Sequence, residues 1–465
     1  MHLGIDLGTS SLKLLVVRDD GVLSQEYEAP VGHDEPRPGW AEADPDVWVA
    51  AVGDGLRAVL DTVPLPMIRA VGVTGHMHGA VLVDTAGHAV RRAVLWPDAR
   101  ARGLAAVWEG LDPRLRARLG GPFSPGLTGP VLGWLATHEP ESLSRADRVL
   151  LAKDVVRHHL ADDPAGRLLT DPSDASGTLL WDVAAGAWVP EVGDASGVPA
   201  RLLPGVEPSD RVVGTWQGRD LVIGAGDTPA SLLALQRGVG GWRNGDLVVN
   251  LGTGLQVIAP VSPPPGDDGT LDWHCFADAG GSHYAMVAVL NGGLALTWAH
   301  ERLGLDWPAF AAAAREQPPG AGGVRFRPFL ADERGAMRPR AVAGAGWDGD
   351  ADATTGQRAR AAAEAQAFLV RRAADLLRPS SGRVWLVGGG GRETWVQQLV
   401  ADTLQRPVTR VEVRSAAALG AALLAAGPDA SAPLRRHHVE PRDRPGLQEA
   451  YAAWRAAYYP GPSAD

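Results

Sequence analysis

Two phrases of this chain echo each other: "GIDLGTSS" over residues 4–11 and "VVNLGTGL" over residues 248–255. In the first, Asp6 closes an otherwise apolar strand, a costly place for a charge that lacks a partner or a cation. Gly8, Thr9 and Ser10 follow with unhindered amides and two hydroxyls. Such a turn either caps a simple hairpin or grips phosphate oxygens while the carboxylate holds a magnesium shell. In the second phrase Asn250 replaces the carboxylate, and Gly252 and Thr253 form another amide-lined turn, with Thr253 placed like Thr9. Asp227, in "GAGDTPA", lies between a glycine turn and a helix start. A carboxylate there is a helix N-cap or a base that approaches a hydroxyl closely, with small neighbours leaving room for substrate. Gly388, Gly389, Gly390 and Gly391 follow an apolar strand and precede a helix. That run is a flexible loop or a place where backbone approaches a nucleotide. It is neither a dinucleotide fingerprint nor a Walker loop, because no Gly-Lys-Ser/Thr follows a glycine loop. The two echoed turns are expected to face each other across a cleft and to hold the two ends of one phosphate chain.

Other reactive types carry less. His76, Met77 and His78 stand together, but acidic or histidine partners at ligand spacing are missing, so a sugar-pocket lining fits better than a metal pair. His33, His88, His138, His158, His159 and His283 read as surface or packing residues. The sixteen tryptophans against six phenylalanines fill cores or cover loops, with some stacking on a sugar face in prospect. Trp96 lies near the candidate site strand. Lys and Arg total 44 against 54 Asp and Glu, a formal net charge of −10, which argues against a nucleic-acid partner. The single cysteine, Cys275, excludes an intrachain disulfide and fits a cytoplasmic setting. No signal peptide and no membrane-spanning stretch is expected. A homodimer is left open.

The elements that must position these residues follow from the patterning. Leu3, Ile5 and Leu7 alternate as in a strand, "GTSS" turns, and residues 12–17 return as an apolar strand. Residues 44–60 read as an amphipathic helix with Asp44 as N-cap, Pro45 in the first turn, and Val47, Val49, Ala51, Val52, Leu56 and Val59 on the apolar side. Residues 68–75 form a buried strand. Residues 220–236 give strand, glycine turn and helix, and residues 383–405 give strand, glycines and helix. The stretch 104–188 is mainly helix and loop, 317–357 is loop-dominated, and 358–378 is a strong helix by propensity. Each half therefore opens with strand, Leu-Gly-Thr turn and strand, and later reaches a helix. That repetition points to an internal duplication into an N-terminal lobe, 1–237, and a C-terminal lobe, 238–465, joined through the glycine-rich 237–245.

In order along the chain, "GIDLGTSSLK", "GHMHGAVLVD", "AVLWPDAR", "KDVVRHHL", "TDPSDASGTLLWDV", "GAGDTPA", "NLGTG" and "LVGGGGRETWVQQLVADTLQRPV" resemble the FGGY carbohydrate kinases, and among them the bacterial xylulokinases. The resemblance covers nearly the whole chain. It implies an α/β, two-lobed sugar kinase, actin and heat-shock ATPase-like fold, with a mixed five-stranded sheet and flanking helices in each lobe and ATP with Mg2+ in the cleft between them. It implies phosphorylation of a ketopentose, D-xylulose to D-xylulose 5-phosphate, with a kinase for ribulose, gluconate, a pentitol or glycerol, or a non-catalytic nucleotide sensor, as alternatives. It assigns Asp227 as proton acceptor, Asp6 with Asp227 to the metal and phosphates, and Met77, His78 and Thr228 to the sugar. Gly8, Thr9, Ser10, Gly252 and Thr253 become the phosphate turns, and Gly388, Gly389 and Gly390 the adenosine loop. The sequence departs from that pattern at His76 and Thr228 beside the sugar, where Gln and Asn are usual, and at Pro97 and Val131. A second signature persists only as Glu333 and Arg334.

Overall fold

The computed structural model describes residues 1–164, 168–261, 272–330, 333, 335–339, 344–378 and 381–459. The first lobe is built on strands β1 (His2–Leu7), β2 (Ser11–Val17), β3 (Leu23–Pro30), β4 (Ala70–Gly75), β5 (Val212–Trp216), β6 (Arg219–Val222) and β7 (Ala225–Gly226). Their order is β5-β6-β4-β1-β2-β3, with β7 also on β4. β1 is antiparallel to β2 and parallel to β4. The second lobe repeats the plan with β8 (Leu247–Leu251), β9 (Leu255–Val261), β10 (His274–Ala277), β11 (His283–Val289), β12 (Val384–Val387), β13 (Val408–Glu412) and β14 (Arg435–Val439), ordered β10-β11-β9-β8-β12-β13-β14. Each sheet thus holds the expected mixed five-stranded core, β3-β2-β1-β4-β6 and β11-β9-β8-β12-β13, extended to seven strands. β6 and β7 are one strand interrupted at Gly224, whose φ of +85° only glycine adopts cheaply.

β1 is buried on both faces, and its composition says how. Leu3, Ile5 and Leu7 point into a core with Leu12, Leu14, Val71 and Val73, closed by helix α1 (Pro45–Leu60). Asp44 caps α1 by accepting from the Asp46 amide. The apolar side of α1 differs from expectation at one residue: Trp48 is buried, whereas Val47 is 57% exposed. A tryptophan at that turn covers more sheet than a valine, so the helix rotates to bury it.

The opposite face of β1 and its neighbour β4 carries glycines. The small-residue helix α4 (Ala416–Ala426) packs there and carries helix α2 (Asp227–Val239) against it; the long α3 (Thr355–Leu377) lies between the two in the chain. A Cβ on Gly4 would lie 1.9 Å from the Ala418 carbonyl oxygen, one on Gly72 2.1 Å from that of Ala421, and one on Gly420 1.9 Å from that of Ala230. Helix therefore meets strand and helix at backbone distance.

The segment expected to be loop-dominated, 317–357, contains a ribbon in its described part. Arg325–Arg327 pairs with Gly346–Asp348, and the Phe326 and Trp347 rings lie 5.1 Å apart. Buried Glu333 accepts hydrogen bonds from the amides of Leu290 (3.1 Å) and Asn291 (2.8 Å). Arg334 lies outside the described residues. Among those described, no helix is long and apolar enough to cross a membrane.

Candidate active site

The register of the two hairpins explains the echo. Asp6 pairs with Lys13 across the first hairpin, and Asn250 pairs with Gln256 across the second. All four side chains line one cleft of about 1270 Å³, together with Gly8, Asp227, Thr228, Ser231, Gly388 and Gly389. The two hairpins share the strand–turn–strand geometry and differ in charge. An acid and a base face the cleft from one lobe. From the other comes a neutral amide pair, Asn250 Nδ2 donating to Gln256 Oε1 at 3.1 Å.

Asp6 is nearly buried, and its Oδ1 has no hydrogen-bond partner. Burial, then the charge of Asp227, pushes its carboxyl up to about 7, against the pull of Lys13. Asp227 is pushed up to about 6 by burial, opposed by the Thr228 amide, which donates to its Oδ1 at 2.6 Å. Two buried carboxylates, the charge of Asp227 raising Asp6 and one Asp6 oxygen left bare, form a site that gains from a cation. Lys13 reaches Glu28 at 3.6 Å and remains part of the cleft wall. Bare backbone completes the phosphate end. A Cβ on Gly8 would sit 2.9 Å from the Ser11 carbonyl oxygen, and one on Gly388, whose φ is +88°, would sit 2.5 Å from Asn250 Oδ1.

Thr9, Ser10, Gly252 and Thr253 occupy the two hairpin turns rather than the cleft wall. Trp96 donates its indole N–H to Thr9 Oγ1 at 2.9 Å, which leaves the threonine proton free for an acceptor. Gly390 sits in the turn behind Gly389, packed on Leu251.

Met77 and His78 lie behind Asp227. A Cβ on Gly226 would meet Met77 Cγ at 2.5 Å, so the residue before Asp227 must be glycine while that methionine stays. Tyr284 of the second lobe points its hydroxyl at Met77 Sδ, 4.0 Å away. His78 has a φ of +69°, unusual for a residue with a side chain. It is held by Nδ1 against the Gly177 carbonyl at 2.8 Å and by its ring against Phe276 of the second lobe, 5.9 Å between centroids. His76 is turned away, buried edge-to-face against Trp48. Burial, then His78 and His33, lowers it to about 4, so it is neutral at physiological pH.

Beneath this end lies a polar cluster that residue patterning missed. Lys153 Nζ, fully buried, reaches Asp154 at 2.5 Å and Asp171 and Asp174 at 3.1 Å each. Burial alone would lower its pKa, but the three carboxylates more than reverse that. Burial pushes the Asp174 carboxyl up, partly offset by Lys153. The signal lay in "KDVV" and "TDPSD", whose charges sit in otherwise apolar or small-residue surroundings.

The profile of the FGGY family of carbohydrate kinases, N-terminal domain, matches residues 1–226, and that of the C-terminal domain matches 247–427. The chain is 30% identical to the xylulose kinase of Escherichia coli strain K12 over 86% of its length and 84% of that protein. It is 32% identical to the xylulose kinase of Streptomyces rubiginosus over 91% and 87%. The solved structure of xylulose kinase from Bifidobacterium adolescentis superposes with a TM-score of 0.83 at 26% identity, covering 98% of this chain and 99% of that one.

Proposed function

Because the chain belongs to the FGGY family of carbohydrate kinases, we propose that it transfers the terminal phosphoryl group of ATP to a ketopentose, turning D-xylulose into D-xylulose 5-phosphate. The observation that carries this is the pair Asp6 and Asp227 on one cleft whose other wall is the glycine backbone of the second lobe. Xylulose kinase is also the name of the relatives matched over most of the chain.

In this proposal residues 1–237 bind the sugar and carry the base, and residues 238–465 bind the nucleotide. Met77, His78 and Thr228 border the sugar. Asp227 Oδ accepts the proton of the 5-hydroxyl as its oxygen bonds to phosphorus. A base near 6 is ionised at neutral pH and still basic enough to take that proton. Lys13 and the amides around Gly8, Gly388 and Gly389 neutralise and align the phosphates, with Thr9, Ser10, Gly252 and Thr253 in the flanking turns. Alignment and charge neutralisation are the main sources of rate in phosphoryl transfer. The bare, buried oxygen of Asp6 and its neighbour Asp227 fit a magnesium ion held jointly with phosphate oxygens. That ion would supply electrostatic relief of the phosphate charge. A cytoplasmic setting and either a monomer or a homodimer are compatible with this assignment.

The test is a coupled ADP-release assay over ketopentoses and polyols. D-Xylulose should give a higher kcat/KM than D-ribulose, gluconate or glycerol. Asp227→Asn should lower kcat roughly 10²–10⁴-fold with ATP affinity nearly unchanged. A better polyol than D-xylulose refutes the substrate, and near-normal turnover of the variant refutes the base.

A further inference from the structure

We propose that Ser173, oriented by Asp171, is the residue that fixes Asp227 in register with the substrate hydroxyl. Both act as positioning residues; this rests on Asp227 being the base.

The backbone leading to Asp227 has few other restraints. β7 is two residues long and pairs with β4 on one side only. Helix α2, which starts at Asp227, has no side-chain cap. Gly226 offers no side chain to anchor, and Met77 and Asp174 leave room for none. Among the described residues, its free edge is held by one bond: the Gly226 amide donates to Ser173 Oγ at 3.0 Å.

That hydroxyl has a single orientation. It donates to Asp171 Oδ2 at 2.6 Å, so its lone pair faces Gly226. The same Oδ2 accepts the Ser173 amide at 3.0 Å and Ser209 Oγ at 2.7 Å. The Ser209 carbonyl in turn accepts the Gly224 amide at 2.9 Å. Asp171 therefore ties down both ends of Gly224–Gly226, the run that delivers the base. Lys153 Nζ, 3.1 Å from Asp171 Oδ1, holds that carboxylate in place from its other side. Ser173, Asp171 and Lys153 are fully buried, so no water competes for these bonds. None of the three lines the cleft. Their effect on turnover passes through Asp227.

Ser173→Ala is assayed with D-xylulose and magnesium-ATP, alone and in an Asp227→Asn background, with thermal melting of each protein. The expected result is a kcat lowered on the order of 10²-fold, the usual cost of misplacing a reacting group by about 1 Å, with KM for ATP within about threefold and a cooperative melt. In the Asp227→Asn background the same change should alter the residual rate less than about threefold, because the group it positions is already gone. Equal losses in both backgrounds would show a role in the fold alone and overturn the proposal. So would a Ser173→Ala kcat within threefold of the parent while Asp227→Asn is inactive; that outcome leaves the base in place. If Asp227→Asn turns over normally, the base assignment and this proposal fall together. Ser209→Ala removes a neighbour of Asp171 but keeps the bond from Gly226. It should lower kcat by roughly tenfold, an intermediate loss, and it decides the matter if Ser173→Ala does not fold, unchanged kcat then overturning the proposal.

Discussion

Replacing Asp6 by Asn should make the ligand-free protein more stable while removing its activity. The carboxyl of Asp6 is raised from its ordinary 3.8 to about 7 by burial and by Asp227. A group whose pKa is raised on folding favours the folded state only while it stays protonated. Stability is therefore full below about pH 4 and is lost as pH rises toward 7. Each pH unit across that window costs about 1.4 kcal/mol. Keeping Asp6 ionised at pH 8 thus costs on the order of 4 kcal/mol at most, and about half that once partial exposure of the group is allowed for. Asparagine has nearly the same shape and no charge. For a lobe of this size, roughly 2–4 kcal/mol corresponds to a melting point several degrees higher, up to about 10 °C. The assay is thermal melting of parent and Asp6→Asn at pH 5 and pH 8, with and without magnesium-ADP. The variant's advantage should be large at pH 8, shrink toward pH 5, and narrow at pH 8 when magnesium-ADP is added. An advantage independent of pH, or none at pH 8, would refute the electrostatic account of this site.

Gly226→Ala should lose both activity and about 1–3 kcal/mol of stability, because the new methyl must displace Met77 Cγ from 2.5 Å; kinetics beside denaturant unfolding would check it. A variant pairing Gly226→Ala with Met77→Ala should regain stability but not turnover. The acid limb of kcat/KM should begin below a pH of about 7 as Asp6 protonates and steepen below about 6 as Asp227 does, and a steep limb that persists unchanged in Asp227→Asn would belong to another group.

Strand and helix patterning located both hairpins, α1, α2 and the glycine turns, because each is a local pattern with a fixed period. That the echoed phrases build equal hairpins was legible too, but that Thr9, Ser10, Gly252 and Thr253 stand off the cleft wall was not. What the residues alone did not show was which side chains face the cleft from the return strands. Lys13 and Gln256 are ordinary residues until the hairpin register sets them opposite Asp6 and Asn250. Trp48 replaced Val47 on the buried side of α1 for the same reason: helix rotation is decided by the surface it covers. The Lys153 cluster left only a faint signal in "KDVV" and "TDPSD", because Asp154 on one short helix and Asp171 and Asp174 on another meet only in the fold. Glycines 4, 72 and 420 carried no chemical signal at all, and their need for bareness appears only when α4 is laid against them.

Those three glycines also bear on how loss of activity should be interpreted in a mutational survey. Each sits where a single added carbon would strike a carbonyl oxygen at about 2 Å, and none of the three lines the cleft. Variants there will fail in a growth selection as completely as variants of the base, and for a wholly different cause. Soluble yield separates the two groups: changes at 4, 72 or 420 should deplete the protein itself, whereas changes at 227 should leave ample, well-folded, silent material.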